Sequence, residues 1–517
     1  MVARDKGDGQ AWLGVDLGTQ SVRALLVTAD GTVLGSGTAP LTGHREPGRH
    51  EQDPARWWTA VCTATRQALT GLRNGVQGPG PNVRVGGLAV CGTSGTVLLT
   101  DPAGHPVSPA LMYDDRRASA EATRARAAGL AVQDSWGLPK ALWLLGTHGP
   151  GRITHQPDVI TARFVGRPVP TDSSHALKTA YDGEREAWPE ALADVLSGIS
   201  PRGRGASGLR LDAGLGGGGA VVPEVVRPGV RLGEVCAEAA EATGVPVGTP
   251  VIAGMTDGCA AQIASGALRP GAWNSVLGTT LVLKGAAVTP VRDTTGVVYN
   301  HRAPDGSWLP GGASSVGAGV LTAAFKGADP AAMDARAAAF EPAGAVTYPL
   351  VSPGERFPFL APDAVALVLG EPAGEADLWA ALLQGVAFTE RLCLDYLHHL
   401  GAPLGGPLTF TGGGARSPYW NQLRCDILAR PARVPRQTEP AIGMAALAAH
   451  GTTGTPLTEV TDAMVHTGAA LTPDPARTAR FAEPYAELVE ELEARGWLPP
   501  DVAAHARTRL SADLSKN

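Results

Sequence analysis

The sequence lacks the features that would direct it to a membrane or to nucleic acid. No uncharged apolar run approaches the roughly 18 residues that a transmembrane helix needs. The first ten residues, MVARDKGDGQ, contain no apolar segment, so we expect no signal peptide. Lysine and arginine number 43 against 49 aspartates and glutamates, and this net charge of −6 argues against a basic nucleic-acid-binding surface.

Cysteine is also scarce, and its spacing forms no CxxC pair or metal-ligand pattern. This usage is typical of reduced, mostly buried thiols, and we expect a cytoplasmic protein. The chain of 517 residues is long enough for two to four domains of about 150 residues each, with a core that needs no disulfide or metal. The six cysteines are Cys62, Cys91, Cys236, Cys259, Cys393 and Cys425.

Three common catalytic signatures are missing. The sequence has neither the G-x-x-x-x-G-K-[ST] phosphate loop nor a strand-linked G-x-G-x-x-G, which argues against a dinucleotide-dependent oxidoreductase. GTSGT resembles the G-x-S-x-G turn of esterases but ends in Thr96 rather than glycine, so an esterase is poorly supported.

What the sequence does contain is an alternation of strand and helix patterns. Residues 12–35 hold three apolar runs separated by a turn at Gly18 and a hairpin signal at Asp30–Gly31, which predicts three antiparallel strands. Asp53 as cap, Pro54 at the first helical position and Gly75 beyond the end predict a helix. Interleaved strands and helices indicate an α/β fold.

Residues 272–285, AWNSVLGTTLVLKG, have the same strand, Gly-Thr turn and strand as the beginning of the chain, which suggests an internal duplication. An apolar stripe in residues 377–400 predicts a long helix ending at Gly401. The glycine-rich segment 201–220 predicts a flexible surface loop or insertion. A domain linker is the alternative, but the short strands and helices predicted around it favour a loop within a domain.

Four glycine-rich turns follow apolar strands, and their backbone N–H groups could approach an anion. Each turn alone is better explained as a tight connection, since such turns are common. Together they favour a nucleotide site between two halves of the chain. The turns are Asp16–Thr19, Gly92–Gly95, Gly278–Thr280 and Gly412–Ala415.

The best acid/base candidate is Asp257, which follows an apolar strand and begins an alanine-rich helical segment. One interpretation is a helix N-cap. The other is a general base that takes the proton of a hydroxyl attacking a γ-phosphoryl group. The two interpretations are compatible, since a helix N-terminus favours a nearby phosphate.

Taken in order, these segments resemble the FGGY family of carbohydrate kinases, in the actin/Hsp70-like ATPase superfamily. YDDRRA is similar to its W-x-D-x-R element, with Tyr113 replacing Trp while Asp115 and Arg117 are kept, and His175 replaces the usual Asn of a T-D-x-S-N-A segment. The other similar segments are DLGTQSVR, EQDPARWW, GLPKALWLL, GMTDGCAA, VLGTT and TGGGARS.

The resemblance implies an α/β fold of two ribonuclease-H-like domains flanking a deep cleft. We expect an N-terminal, sugar-binding domain at residues 10–262, a C-terminal, ATP-binding domain at residues 263–490 and a peripheral tail at residues 491–517. The implied activity is ATP-dependent phosphorylation of a sugar hydroxyl with Mg²⁺ present. The partners are therefore a sugar and ATP, and the chain could form a homodimer.

The resemblance also implies site residues. Asp257 would be the catalytic base and contact the sugar, Asp16 would place the sugar, and both aspartates could hold Mg²⁺. ATP would be bound by Thr19, Gly278, Thr279, Thr280, Gly317, Gly413, Gly414, Ala415 and Ser417.

One segment of the sequence differs from the xylulose kinases, and this difference suggests which sugar is bound. Xylulose kinases usually carry G-Q-M-H-G where this sequence reads CGTSG, so Thr93 and Ser94 replace Met and His. GTSGTVLL, HALK and GERFPF are more similar to D-ribulose kinases, and Ser94 would hydrogen-bond that ketose. D-Xylulose or another ketose or polyol is the alternative. A non-catalytic actin/Hsp70-like ATPase or sugar-binding regulator is the alternative from another class.

Overall fold

The computed structural model describes residues 9–73, 83–198 and 221–515. The glycine-rich segment 201–220 and the predicted helix end at Gly75 lie outside these residues. Within them the strands are β1 (Gln10–Leu17), β2 (Ser21–Thr28), β3 (Val33–Pro40), β4 (His44–Glu46), β5 (Arg49–Gln52), β6 (Arg84–Gly92), β7 (Val97–Thr100), β8 (Ala110–Leu111), β9 (Arg152–His155), β10 (Thr171–Asp172), β11 (Val225–Val226), β12 (Arg231–Glu234), β13 (Pro250–Ile252), β14 (Trp273–Leu277), β15 (Leu281–Gly285), β16 (Tyr299–Arg302), β17 (Trp308–Ala313), β18 (Ala345–Tyr348), β19 (Leu367–Gly370), β20 (Leu408–Thr411), β21 (Ala432–Pro435) and β22 (Thr467–Leu471).

The α-helices are α1 (Pro54–Arg73), α2 (Ser119–Ala127), α3 (Gly137–His148), α4 (Gln156–Val165), α5 (Ser173–Ala176), α6 (Ala191–Ser197), α7 (Ala237–Thr243), α8 (Asp257–Ala264), α9 (Gly319–Ala324), α10 (Pro330–Ala337), α11 (Glu375–His399), α12 (Pro418–Leu428), α13 (Pro440–Thr453), α14 (Leu457–Met464), α15 (Pro475–Arg480), α16 (Ala482–Ala494) and α17 (Pro500–Leu514). Short 3₁₀ helices occupy Leu177–Thr179 and Gly413–Arg416.

The chain divides into two compact units. The first takes the residues up to Gly266, together with His301–Gly306 and Glu439–Val465. The second takes Ala267–Asn300, Ser307–Thr438 and the residues from His466 onward. Helices α13 and α14 thus belong to the first unit although they come late in the chain.

A six-stranded mixed sheet forms the centre of the first unit, in the order β12-β13-β6-β1-β2-β3. Strands β1, β2 and β3 pair antiparallel, which confirms the three predicted strands. Strands β1, β6 and β13 run parallel. Leu13 and Val15 of β1 pack with α1 residues such as Val61, while the opposite face, which carries Gly14, receives α13.

The second unit repeats this plan, with a seven-stranded sheet in the order β16-β17-β15-β14-β20-β21-β22. Strands β14 and β15 form an antiparallel hairpin, and β14, β20 and β21 run parallel. Strands β14, β15 and β20 therefore correspond to β1, β2 and β6 of the first unit. The shared arrangement agrees with the predicted duplication and with the predicted α/β fold of two ribonuclease-H-like domains.

The helix predictions depend on capping and apolar spacing, and the structure confirms the main ones. Helix α1 begins at Pro54, and Asp53 Oδ1 accepts the backbone N–H of Ala55 at 3.0 Å. The long predicted helix is α11, which is almost wholly buried. No helix in the described ranges is both long and apolar enough to span a bilayer.

Candidate active site

Three parallel strands of the first unit bring the sequence-predicted sugar residues to one edge of its sheet. Asp16, near the end of β1, is in register with Cys91 of β6, and Gly92 bridges to Thr256. Thr93 and Ser94 follow β6 directly, and Asp257 follows Thr256. Because the carboxyl ends of parallel strands are the usual ligand-binding edge of an α/β sheet, this edge is the candidate sugar site.

Asp16 lies in an environment that disfavours its charge. Burial, and next the negative charge of Asp257, raise the pKa of Asp16 to about 6. The Cys91 thiol donates to Asp16 Oδ1 at 3.5 Å and acts in the opposite sense, as does Arg23. The negative charge of Asp257 therefore acts on Asp16, as expected of two carboxylates at one edge of the sheet.

Asp257 occupies the first turn of α8, and Thr256 before it is the N-cap residue. The N-cap therefore lies one residue before Asp257, the residue for which an N-cap was one interpretation. Asp257 Oδ1 accepts the backbone N–H of Gly258 at 2.7 Å, which fixes the carboxylate at the helix N-terminus. This end of a helix carries partial positive charge and favours an anionic carboxylate or phosphate.

A buried network holds the segment before Asp257. Asp172 Oδ1 accepts the Ser174 hydroxyl at 2.5 Å, and Ser174 Oγ accepts the backbone N–H of Thr256 at 2.9 Å. His175 Nδ1 lies 2.6 Å from Asp172 Oδ2, and its Nε2 lies 3.3 Å from the Gly92 carbonyl oxygen. The T-D-S-S-H segment is thus hydrogen-bonded to the end of β6 and to Thr256, the residue before Asp257.

His175 stands where the family usually has Asn, and its charge is supported. Burial lowers the pKa of His175, but the charge and hydrogen bond of Asp172, together with the charges of Asp158 and Asp257, outweigh this effect, so the pKa lies above its ordinary value. Both ring nitrogens are engaged. The His175 imidazole therefore holds the Asp172 side chain and the Gly92 backbone in place beside the site.

Thr93 and Ser94 have different surroundings. Thr93 Oγ1 lies 2.5 Å from Thr96 Oγ1 and 2.8 Å from Gln156 Oε1, and its backbone N–H donates to the same oxygen at 2.8 Å. Ser94 Oγ is buried and has no hydrogen-bond partner among the described residues. Lys178 Nζ donates to the Ser94 carbonyl at 3.3 Å. The Thr93 hydroxyl is engaged by protein, whereas the Ser94 hydroxyl could serve a ligand.

The YDDRRA segment forms an ionic cluster. Arg117 pairs with Glu51 and with Asp115, the latter at 2.7 Å between Nη2 and Oδ2. Its guanidinium lies 5.0 Å from the ring centre of Trp143 on α3. Asp115 Oδ2 also accepts the backbone N–H of His50 at 2.7 Å. The retained aspartate and arginine therefore join β5 to α3.

The turn at Thr19 is supported from the EQDPARWW segment. Gln52 Nε2 donates to the Thr19 carbonyl oxygen at 2.7 Å, and Gln52 Oε1 accepts the Trp57 indole N–H at 2.7 Å. This chain of bonds links Gln52 and Trp57 of that segment to the first glycine turn. Thr19, expected to contact ATP, lies in the first unit.

The other predicted ATP residues lie in the second unit, after the carboxyl ends of β14, β17 and β20. Gly317 lies against the Gly278–Thr280 turn, since a methyl group on it would come within 2.4 Å of Thr280 Cα. Gly412 adopts φ +83° and lies against β14, where a methyl group would come within 2.6 Å of the Leu277 carbonyl oxygen. The two turns are therefore neighbours on one edge of the sheet.

Ser417 and Ala415 sit just beyond this edge. Ser417 Oγ donates to Asp334 Oδ2 at 2.6 Å and accepts the Trp420 backbone N–H at 3.0 Å, so this side chain caps α12. Asn421 Nδ2 donates to the Ala415 carbonyl at 2.7 Å. The backbone of Gly413–Arg416 is thereby held as a 3₁₀ turn.

Two carboxylates at the sugar site could hold a magnesium ion. Asp16 and Asp257 supply hard carboxylate oxygens, and their mutual repulsion would be relieved by a divalent cation. No group of three or more potential ligand side chains occurs in the described part of the chain. Mg²⁺ commonly uses one or two carboxylates plus water and substrate phosphates, so this small donor set fits.

Sequence reasoning missed Cys91, Asp172 and Gln156. Cys91 is evident only from the β1–β6 register, and Gln156 only from its bonds to Thr93, 63 residues away. Asp172 belongs to the segment similar to T-D-x-S-N-A and precedes His175 by three residues, a spacing that signals an ion pair. Nothing local in the sequence points to the other two.

Comparison with known proteins gives consistent matches. Residues 11–135 match the N-terminal domain of the FGGY family of carbohydrate kinases, and residues 273–452 match its C-terminal domain. The chain is 31% identical over 475 residues to a xylulose kinase of Streptomyces rubiginosus, covering 86% of this chain and 89% of that protein.

It is also 26% identical over 495 residues to an autoinducer-2 kinase of Photorhabdus laumondii, covering 86% of each chain. Among solved structures, the xylulose kinase from Rhodospirillum rubrum aligns with a TM-score of 0.79 at 27% identity. That alignment covers 94% of this chain and 98% of that one.

Proposed function

The chain belongs to the FGGY family of carbohydrate kinases, and we propose that it transfers the γ-phosphoryl group of ATP to a hydroxyl of a ketopentose. D-Ribulose is the first candidate sugar, with D-ribulose 5-phosphate as product. One observation supports this proposal above the others. Asp16, Ser94 and Asp257 lie at one edge of the first unit's sheet, and Asp257 lies at a helix N-terminus.

In this proposal Asp257 acts as general base. Its carboxylate accepts the proton of the sugar hydroxyl while that oxygen attacks the γ-phosphorus and ADP leaves. The partial positive charge at the start of α8 favours the phosphoryl group. Asp16 orients the sugar through an acceptor oxygen. Bound Mg²⁺, held by Asp16 and Asp257, would neutralise phosphate charge.

Kinases of this family use ATP, and the second unit supplies the turns proposed to bind it. Backbone N–H groups in Gly278–Thr280 are the proposed phosphate donors, with Gly317 allowing the turn its close packing. The Gly413–Arg416 turn and Ser417 are proposed to line the adenosine. Thr19 of the first unit is proposed to face the γ-phosphate.

Two sugars are compared because different observations favour them. The unpartnered Ser94 hydroxyl, in place of an imidazole, supports D-ribulose, since a small donor and acceptor changes both pocket volume and bonding. The names of the relatives support D-xylulose. The two ketopentoses differ in the configuration of one hydroxyl group, which a single buried polar side chain can distinguish.

The test is an ADP-release assay with magnesium ATP against D-ribulose, D-xylulose, other ketoses, polyols and no sugar. The proposal predicts sugar-dependent turnover with a ketopentose, and a higher kcat/KM for D-ribulose than for D-xylulose. The reverse order would assign D-xylulose. ADP release that is equal with and without every sugar would contradict a kinase and favour a non-catalytic or purely hydrolytic ATPase.

A further inference from the structure

We propose that Gln156 is a specificity residue of the sugar site, whose Nε2 donates a hydrogen bond to the carbonyl oxygen of the open-chain ketose. Gln156 begins α4 and is completely buried. This inference rests on the proposed sugar-kinase function and names the contact by which the site would distinguish a ketose from a polyol.

The orientation of the Gln156 amide follows from its neighbours. Both the backbone N–H and the hydroxyl of Thr93 lie 2.8 Å from Gln156 Oε1. A backbone N–H can only donate, so the amide atom facing it must be the oxygen. The two N–H bonds of Nε2 therefore point away from Thr93.

Gln156 Nε2 is buried but has no hydrogen-bond partner within the described residues. Leaving such a donor unpaired costs about 1–3 kcal/mol, so native proteins rarely keep one without a ligand or water. The Ser94 hydroxyl, one residue after Thr93, is buried and unpartnered in the same sense. Two unpaired polar groups beside one turn indicate a binding site for a polar ligand.

The position of this amide relates it to the two carboxylates. A methyl group on Gly92 would lie 3.0 Å from Gln156 Oε1, so the amide lies over the end of β6. Gly92 is in register with Leu17, which follows Asp16, and it bridges to Thr256, which precedes Asp257. The amide therefore lies at the end of β6, between β1, which carries Asp16, and Thr256, which precedes Asp257.

The carbonyl oxygen of a ketose differs from a hydroxyl group in that it only accepts hydrogen bonds. Ionised carboxylates only accept hydrogen bonds, so Asp16 and Asp257 can hold sugar hydroxyls but would repel a carbonyl oxygen. A carbonyl oxygen needs a donor, and the unpaired amide N–H of Gln156 is a neutral donor. A hydroxyl in the same place could also donate, so a polyol depends less on this amide.

The test compares Gln156→Glu with wild type on a ketopentose and on the matching pentitol. Glutamate keeps the two bonds from Thr93 but replaces the donor with an acceptor oxygen. We expect the KM for the ketopentose to rise by about tenfold or more, while the inhibition constant of the pentitol and the KM for ATP stay within about twofold. Gln67→Glu is the matched control, because exposed Gln67 Oε1 likewise accepts a backbone N–H, from Thr38 at 2.9 Å.

Gln156→Met is a second variant, of similar length but with no donor, and it is used if the glutamate variant does not fold. It should also raise the ketopentose KM more than the pentitol constant. If wild type is active, two results would overturn the role of Gln156. One is an equal change in the ketopentose KM and the pentitol inhibition constant, and the other is no change in either constant in a folded variant. Both results would leave the kinase proposal intact. A wild type inactive on every sugar would overturn both.

Discussion

Gly14 of β1 and Ala441 of α13 lie so close that a methyl group on Gly14 would come within 1.8 Å of the Ala441 carbonyl oxygen. Gly443, two residues further along α13, also lies close to α8, since its methyl group would come within 2.1 Å of the Ala260 carbonyl oxygen. Helix α13 thus packs backbone to backbone on the strand that carries Asp16 and on the helix that carries Asp257.

This packing predicts that Gly14→Ala is strongly destabilising. The added methyl group has no space without moving α13, so we expect the free energy of unfolding to fall by about 2 kcal/mol or more. Gly146→Ala in α3 is the control, since its methyl group would meet nothing within 4 Å. That variant should gain up to about 1 kcal/mol from helix propensity. Chemical denaturation measures both, and equal effects would contradict the packing.

The fold could be predicted where local chemistry determines it. Caps and apolar spacing predict the start of α1 at Asp53–Pro54, the three strands of residues 10–40 and the length of α11. The equivalence of the β1 and β14 hairpins was visible as a repeated strand and Gly-Thr turn. These features depend on neighbours in sequence, which is why pattern reasoning reaches them.

Long-range packing could not be predicted in the same way. The sequence places α13 in the C-terminal half, but the helix packs in the first unit because Gly14 and Gly443 permit close contact, and small residues leave no periodic signal. The grouping of Asp16, Ser94 and Asp257 required knowledge of the family. The contact of Gln156 with Thr93 depends on the placement of α4 above β6, which neither segment encodes alone.

Lys140 of α3 predicts a pH-dependent stability. It is completely buried, and its ammonium donates to the Met112 carbonyl at 2.7 Å. Burial, and next the charge of Lys178, lower the pKa of Lys140 from 10.5 to about 7, against the opposing effect of Asp115 and Asp114. Between these two pH values the folded protein binds fewer protons than the unfolded chain, so stability rises with pH.

We therefore expect wild type to gain stability relative to Lys140→Met as the pH rises. From pH 7 to 9 the difference in free energy of unfolding should grow by about 2 kcal/mol in favour of wild type, because each unit of pH contributes at most about 1.4 kcal/mol. Denaturant unfolding of both proteins at several pH values measures this difference, in which other titrating groups cancel. A difference independent of pH would show that Lys140 titrates normally.

Ser94→Ala should weaken the use of sugar and leave ATP unaffected. The hydroxyl is buried without a partner among the described residues, so its loss removes no bond from the protein itself. Loss of one hydrogen bond to the sugar should raise the ketopentose KM by about fivefold to tenfold. Ser511→Ala, at an exposed site in α17, is the control. Unchanged sugar kinetics would exclude Ser94 from the site.

Gly317→Ala should affect ATP and spare the sugar. The methyl group would come within 2.4 Å of Thr280 Cα and 2.5 Å of the Thr279 carbonyl oxygen, so the turn with the proposed phosphate donors must shift. We expect the KM for ATP to rise by about tenfold or more, with a smaller change in the ketopentose KM. Gly405→Ala is the control in the same unit, since nothing lies within 4 Å of its methyl group. A rise confined to the sugar KM would contradict the assignment of this turn to ATP.

The central claim is that Asp257 removes the proton of a sugar hydroxyl during phosphoryl transfer. The most direct test measures transfer of labelled γ-phosphate from ATP to a ketopentose by wild type and by Asp257→Asn, with ATP binding measured separately. The claim predicts labelled sugar phosphate from wild type and at least about a 10²-fold slower transfer by the variant, with ATP affinity retained. A variant whose transfer stays within about tenfold of wild type would remove Asp257 from that role.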